Sequence, residues 1–239
     1  MTILTIYAAG YDPVTGTVIC FGAGTLIETD RGGIAVEHLR IGDLVRTLDH
    51  GLRPIRWIGG RRISAREMAL HPDIRPIRIR GGALGLGMPR ADLLVSPQHR
   101  ILVRSQVVLR MFGEPEALIG AKHLTGLNGI AIATDITEIT YWHFLLDRHE
   151  VVFPNGTASE SLFTGPQAIN SVPTESRAEI LRLFPDLDRP GPADPQPARD
   201  LVKGRQARHF VSRIVKNQKP ALASMPRPRV CQGNISGQA

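Results

Sequence analysis

The chain has 239 residues, of which 42% are apolar, with 29 Lys+Arg against 22 Asp+Glu. This length and apolar fraction are sufficient for one medium domain with appendages or for two small domains. No stretch approaches the ~20 uninterrupted apolar residues of a membrane-spanning helix, so we expect no membrane span. The first ten residues lack a basic segment. We therefore expect no Sec signal peptide, which leaves open a cytoplasmic location or secretion by another route.

The positive charge of the chain is concentrated in its C-terminal segment. Residues 199–239 contain nine Lys and Arg but a single acidic residue, whereas the preceding residues contain 20 basic and 21 acidic residues. The main domain is therefore nearly neutral and does not favour nucleic acid as a partner. Aromatic residues among the cations of the tail would favour nucleic acid, and only Phe210 is present. We rank an acidic or nucleic-acid partner of the tail below the interpretations that follow.

From Cys20 to about Leu162, short apolar runs alternate with turn signals such as Gly59-Gly60 and Asn155-Gly156. This pattern predicts an all-β domain of many short strands. The tetrapeptide Val103-Arg104-Ser105-Gln106 is interpreted as a tight hairpin. The predicted strands are Thr25–Glu28, Asp43–Thr47, Leu52–Ile58, Ile74–Ile79, Leu93–Val95, Ile101–Val103, Gln106–Leu109, Gly129–Ala133, Ile136–Leu146 and Glu150–Pro154.

The segment after this β domain predicts short helices and a linker. A helix-like pattern covers Pro173–Phe184, and five prolines in Pro185–Pro197 indicate a stiff spacer. Leu201–Lys219 is basic and amphipathic, and we expect the last twenty residues to be disordered. The predicted organisation is therefore a lead at 1–19, a β domain at 20–165, a helical extension and proline-rich linker at 166–200, and a basic helix with a tail at 201–239.

The two cysteines do not form a recognisable metal or disulfide pattern. Cys20 and Cys231 lie far apart and in unlike contexts, so we predict neither a structural zinc site nor a disulfide scaffold. The chain also lacks the phosphate-binding, dinucleotide-binding, zinc-protease and serine-hydrolase motifs GxxxxGK[ST], GxGxxG after a strand, HExxH and GxSxG. We therefore expect no cofactor and no metal.

Three segments carry residues with chemical potential. Cys20 opens a strand that continues to Thr25-Leu26-Ile27, and after a turn the chain reads Val36-Glu37-His38-Leu39-Arg40-Ile41-Gly42-Asp43-Leu44-Val45. The second segment is Ser96-Pro97-Gln98-His99, which is bracketed by apolar residues. The third is Asp147-Arg148-His149, which lies between two predicted strands. A free cysteine is most often a small buried hydrophobe, but this combination is more specific.

In this order the three segments resemble the Hint domain, the self-processing module of hedgehog proteins and inteins, in its bacterial hedgehog-like form. The family carries threonine where Ser96 stands, so the hydroxyl group is kept. His149 matches the histidine that starts the last core strand of the family. The resemblance implies a disc-shaped all-β fold with pseudo-two-fold symmetry, followed here by short C-terminal helices.

The resemblance also implies an N–S acyl shift, in which the sulfur of Cys20 attacks the carbonyl carbon of Ile19 and the amide becomes a thioester. A thiol suits this step because it ionises near pKa ~8.5, far below an alcohol. His99 is the candidate acid for the leaving amide nitrogen. Ser96 would hold His99 or polarise the Ile19 carbonyl, and His149 would activate Cys20 or the water that follows.

Two further groupings of residues were weighed. Asp73 is a possible auxiliary base, and the competing interpretation is an ordinary turn aspartate that follows a proline. His143 and His149 were considered as a metal pair, but no third ligand joins them at a usual spacing.

The expected activity is a single-turnover self-cleavage of the chain's own N-terminal segment. Water or a small nucleophile would resolve the thioester, because no sterol-binding region is evident after the β domain. Splicing is not expected. Glu160 stands where inteins carry the terminal asparagine and Ser159 where they carry the assisting histidine, while Asn170-Ser171 lies about ten residues too far along the chain.

The alternative interpretation is a non-catalytic Hint-like β module that binds or caps a secreted partner. It is motivated by the expectation that cleavage before Cys20 would release only a 19-residue peptide.

Overall fold

The computed structural model describes residues 19–162 and 196–224. The described residues form fourteen short strands and a few helices, so the predicted all-β class is confirmed. Outside the described residues lie the helix-like stretch Pro173–Phe184, most of the proline-rich linker, Asn170-Ser171, Cys231 and the predicted disordered tail beyond residue 224. In the described part of the chain, no helix is long and apolar enough to cross a membrane.

The strands are short, from two to seven residues. They are β1 Phe21–Gly22, β2 Leu26–Thr29, β3 Gly32–Ala35, β4 Leu44–Thr47, β5 Gly51–Pro54, β6 Trp57–Ile63, β7 Ile77–Ile79, β8 Leu93–Val95, β9 Arg100–Arg104, β10 Glu116–Gly120, β11 Ile130–Ile132, β12 Ile139–Leu145, β13 Val151–Val152 and β14 Ser159–Glu160. The helices are α1 Ala65–Leu70, α2 Gln106–Phe112, α3 Ala121–Leu124 and α4 Gly204–Lys216, with 3₁₀ turns at Val36–His38 and Pro72–Ile74.

These strands form two antiparallel sheets. One has six strands in the order β11-β7-β8-β1-β12-β6, and the other has the order β10-β9-β14-β13-β4-β2-β3, with β5 paired to β4. The short strand β1 is an interior strand of the first sheet, since Phe21 pairs with Val95 of β8 and with Trp142 of β12. Cys20, immediately before β1, is therefore enclosed by neighbouring strands.

Strand β6 runs straight through Gly59-Gly60, which the sequence pattern marked as a turn. A Cβ atom on Gly59 would lie 2.5 Å from the ring of Trp57, and one on Gly60 would lie 2.8 Å from the ring of Trp142. The two positions are glycine because the indole rings of Trp57 and Trp142 leave no room for a side chain there. This close approach, rather than a change of chain direction, requires residues without side chains.

The predicted strand Gln106–Leu109 and the hairpin before it are wrong, because this segment is helix α2. The Ser105 hydroxyl accepts a hydrogen bond from the Val108 N–H at 3.2 Å and caps the helix, and Gly113 ends it in the left-handed conformation with φ +84°. The two adjacent valines favour a strand intrinsically. A serine N-cap and a glycine C-cap outweigh that preference here.

Helix α4 packs on the β domain and is not a separate tail. Its apolar residues belong to the same buried cluster as the sheet residues, and the Phe210 ring lies 6.4 Å from that of Phe112. The buried residues of α4 are Ala207, Phe210, Val211 and Ile214.

The segments that flank α4 are tied to the β domain as well. Leu118 of β10 exchanges backbone hydrogen bonds with Asp200 and Val202. The side chain of Arg199 bonds to Asp49 and to Glu116. The basic helix that the sequence pattern separates from the β domain therefore packs against it.

Removing the Phe210 side chain should therefore destabilise the whole domain. We expect Phe210→Ala to lower the free energy of unfolding by about 3–5 kcal/mol, because a fully buried ring leaves a cavity. Val215→Ala on the same helix is the matched control, since Val215 is 53% exposed and its loss should change stability by less than ~0.5 kcal/mol. Chemical denaturation followed by circular dichroism measures both. Equal stability of the two variants would contradict the role of α4 in the core.

Candidate functional site

The Ile19–Cys20 peptide bond is buried and held on both sides of Cys20. Ile19 is 6% exposed and Cys20 is 2% exposed. The Cys20 N–H donates to the Ser96 hydroxyl oxygen at 3.0 Å, and the Cys20 carbonyl accepts from the Ser96 N–H at 3.0 Å. Ser96 follows β8, so the pairing of β8 with β1 brings its hydroxyl to the amide nitrogen of Cys20.

The thiol of Cys20 contacts a histidine that the sequence analysis did not assign to the site. The Nδ1 atom of His143, on β12, lies 3.2 Å from the Cys20 sulfur. The His143 ring stacks on Trp57 with centroids 5.1 Å apart. The available sequence signal is the two-residue period of β12, because His143 shares the buried face of this strand with Ile139 and Tyr141. The sequence pattern alone presents His143 only as a metal partner of His149.

Burial keeps both members of this pair neutral. It raises the pKa of the Cys20 thiol well above its usual value, against an opposing effect of the Arg61 charge. It lowers the pKa of His143 to about 4. The contact therefore joins a neutral thiol to a neutral imidazole.

His99 lies on the other side of Ser96, at the turn that leads into β9. Its backbone N–H donates to the Ser96 carbonyl at 3.0 Å, and its Nε2 lies 3.1 Å from the Ser159 hydroxyl. The ring is fully buried, with its centroid 4.4 Å from that of Phe21. Its Nδ1 atom has no hydrogen-bond partner among the described residues.

The pKa of His99 is lowered to about 4, chiefly by burial. The charge of Glu160 and the backbone of Cys20 oppose this shift, while Arg100 and His149 add to it. His99 is therefore neutral at pH 7, and the backbone of Cys20 lies close enough to influence its protonation.

His149 contacts two groups other than the thiol. Its Nδ1 accepts a hydrogen bond from the Ala198 N–H at 3.1 Å, and its Nε2 lies 3.4 Å from a carboxylate oxygen of Glu160. Both ring nitrogens thus contact groups other than Cys20. Asp73 is exposed in the 3₁₀ turn Pro72–Ile74.

The structure thus brings Cys20, Ser96 and His99 into one chain of contacts, and it adds His143 and Ser159 to them. His149 lies 3.4 Å from Glu160, the residue after Ser159. Among residues 19–162 and 196–224, no group of three or more His, Cys, Asp or Glu side chains is placed to hold a metal ion.

The fold and the site define an antiparallel β module that encloses a cysteine together with the peptide bond before it. The chain belongs to the Hint domain family, a class of self-processing modules, because the family model described as "Hint domain" matches residues 19–166.

Two solved structures are similar to this chain. The gp41-1 intein has 10% identity over 59% of this chain and 97% of its own, with a TM-score of 0.38. The bacterial intein-like domain from Clostridium thermocellum has 12% identity over 59% of this chain and 97% of its own, with a TM-score of 0.34. No curated protein matches the chain.

The two buried histidines should make the fold sensitive to acid. Their pKa values are about 4 in the folded protein, against about 6.5 in the unfolded chain. As the pH falls below 6.5 the unfolded chain binds protons first. The stabilising contribution is therefore complete above pH 6.5 and is lost towards pH 4. Between pH 7 and 4.5 we expect a loss of about 2 kcal/mol per histidine.

Urea unfolding of the parent, His143→Gln and His209→Gln proteins at several pH values measures this effect. The His143 variant should lose less stability on acidification than the parent protein. The His209 variant should behave as the parent, because that side chain is exposed on α4. A parent protein equally stable at pH 7 and 4.5 would show that the histidines are not buried in neutral form.

Proposed function

We propose that this chain cleaves itself before Cys20 through an N–S acyl shift, and that it does not splice. The contact that carries this proposal is the 3.2 Å separation between the Cys20 sulfur and His143 Nδ1. This contact lies beside the Cys20 amide, whose N–H donates to the Ser96 hydroxyl. A nucleophile, a base and the group to be attacked are thus adjacent within one buried site.

In the first step His143 takes the thiol proton and the sulfur attacks the carbonyl carbon of Ile19. A carbon–sulfur bond forms while the carbon–nitrogen bond to Cys20 breaks, so an amide is exchanged for a thioester and a free amine. The Sγ···Nδ1 hydrogen bond supports the assignment of His143 as the base, because the proton has only to move along it.

The amide nitrogen leaves as an amine and needs a proton. The Ser96 hydroxyl is already at this nitrogen, and we assign to it the role of holding the nitrogen during departure. His99, whose ring is close to the backbone of Cys20, takes up a proton from solvent and passes it to this nitrogen, while His143 returns the thiol proton to solvent. A positioned acid or base contributes roughly 10²–10⁴-fold to such a step.

The thioester is then resolved by water or by a small nucleophile. Cys20 is almost inaccessible, so a nucleophile reaches the acyl group only after local opening of the site. We therefore expect slow release that an added thiol or hydroxylamine accelerates.

The environment of Glu160 supports cleavage without splicing. Inteins end in an asparagine whose side-chain nitrogen closes a succinimide ring, and a carboxylate has no such nitrogen. The Glu160 carboxylate accepts a hydrogen bond from the Arg100 N–H at 2.7 Å and pairs with the Arg100 guanidinium at 3.1 Å. Because its oxygens are bound by Arg100, the carboxylate does not act as a nucleophile on the chain.

A second candidate function is a non-catalytic Hint-like module that binds or caps a secreted partner. The observation in its favour is the raised pKa of the Cys20 thiol, because a buried neutral thiol is a poor nucleophile. The two functions differ in whether the Ile19–Cys20 bond ever breaks.

Cleavage at Cys20 is tested with different tags fused to the two ends of the chain. We expect dithiothreitol to release the N-terminal tag, with a mass that corresponds to cleavage after Ile19, and we expect no product that joins the two tags. Cys20→Ala should release nothing, because no atom remains to accept the acyl group. Equal release from Cys20→Ala and the parent protein would refute the thioester, and a ligated product would refute the exclusion of splicing.

Replacement of His143 tests the assigned base. At pH 7 we expect His143→Ala to slow dithiothreitol-induced cleavage by roughly 10²-fold or more. The deficit should shrink as the pH rises, because the thiol then ionises without a base. His38→Ala is the control, since His38 is exposed at the end of the 3₁₀ turn Val36–His38. A His143→Ala protein that is folded and cleaves like His38→Ala would remove His143 from the mechanism.

A further inference from the structure

A buried carboxylate lies next to the proposed acid, and the acyl shift as described does not use it. Glu160 is completely buried, and buried carboxylates in proteins are stable only with strong partners. Its partners are the backbone N–H and guanidinium of Arg100 and the Nε2 atom of His149. The two donors of Arg100 thus fix the position of the carboxylate inside the domain, with His149 3.4 Å away.

This carboxylate is attached to His99 at two points. Ser159, which precedes Glu160 in β14, has its hydroxyl 3.1 Å from His99 Nε2. Glu160 itself accepts from the N–H of Arg100, the residue that follows His99. The pairing of Ser159 with Ile101 joins β14 to β9 and fixes both attachments. The position of Glu160 relative to His99 is therefore set by the sheet.

The orientation of His149 is set by a segment outside the family match. The Ala198 N–H donates to His149 Nδ1, so this nitrogen carries no proton and the imidazole proton lies on Nε2. The Nε2 atom lies 3.4 Å from a carboxylate oxygen of Glu160, outside hydrogen-bond geometry. The segment before α4 thus selects the tautomer whose N–H lies on the side of Glu160.

Several groups with charge or polarity act on His99. The carboxylate of Glu160 and the backbone of Cys20 favour its protonated form. Arg100, His149 and burial itself disfavour that form. Of these groups, Glu160 is the charged one that favours a proton on His99. Protonated His99 is the form that the reaction needs when the amide nitrogen leaves.

We propose that Glu160 is the positioning residue of His99. The buried charge of its carboxylate, beside Arg100 and His149, stabilises the protonated imidazole that donates to the Cys20 nitrogen. This inference rests on the proposed function. It assigns to the residue at the asparagine position of inteins a part in the first step of the reaction. Glu160 acts through His99 and does not touch the reacting atoms.

The test is a double-mutant cycle on dithiothreitol-induced cleavage of the full chain at pH 7. Glu160→Gln keeps the shape but removes the charge, and we expect cleavage to slow ~10-fold, the equivalent of one pKa unit on His99. In a His99→Ala background the same substitution should cause no further loss, because the group on which it acts is gone. Glu160→Asp should recover part of the rate.

Glu150→Gln is the matched control. Glu150 is equally buried and also contacts a histidine, His50, at 2.9 Å. It is not among the groups that act on His99. We expect this control to lose stability in urea but to cleave at the parent rate. If Glu160→Gln does not fold, Glu160→Asp is compared with Glu150→Asp, and only the former should cleave more slowly.

The outcomes separate the inference from the function. If the parent protein cleaves and Glu160→Gln cleaves equally well, the inference is refuted and the function stands. Losses from Glu160→Gln that are equal in the parent and His99→Ala backgrounds also refute it, because they indicate a purely structural role. A parent protein that never cleaves refutes both.

Discussion

The site depends on the enclosure of β1 between β8 and β12. A two-residue strand in the interior of a sheet presents its preceding residue to both neighbours at once. The neighbour on one side ends at Ser96 and supplies the hydroxyl on the Cys20 nitrogen. The neighbour on the other side carries His143 and supplies the imidazole on the sulfur. Sheet topology, more than any loop, therefore brings together the two groups that contact Cys20.

The turn Ser96–His99 has a second structural role, because it leads from β8 in one sheet to β9 in the other. Its serine faces the Cys20 amide and its histidine reaches Ser159 in the second sheet. The spacing of the Ser-x-x-His motif thus serves the crossover between sheets as well as the proposed chemistry. A change in its length would move the hydroxyl and the imidazole relative to each other and would also shift the register of β9.

Much of this arrangement follows from local sequence, and the remainder depends on contacts distant in the chain. Alternating apolar residues predict the class, and Leu93–Val95 is observed as predicted. The helix at Gln106–Phe112 was missed because its valines favour a strand while its caps lie outside the apolar run. His143 could not be assigned to the thiol, because 123 residues separate it from Cys20. His149 matches the motif of the family and contacts Ala198 and Glu160, so its assigned role stays a prediction.

A low-dielectric site has opposite effects on the two halves of an acyl shift. It favours the neutral thiol and the neutral imidazoles, and so it resists the separation of charge that the attack of sulfur requires. It also strengthens each fixed dipole or charge that is directed at the reacting atoms. The Arg100–Glu160 pair and the tautomer of His149 are fixed by β9, β14 and the segment before α4, so they need no reorganisation during the reaction. A self-processing module acts on its own chain, so under the proposed function only water or a small nucleophile has to enter the site. A closely packed core that includes α4 is compatible with that requirement.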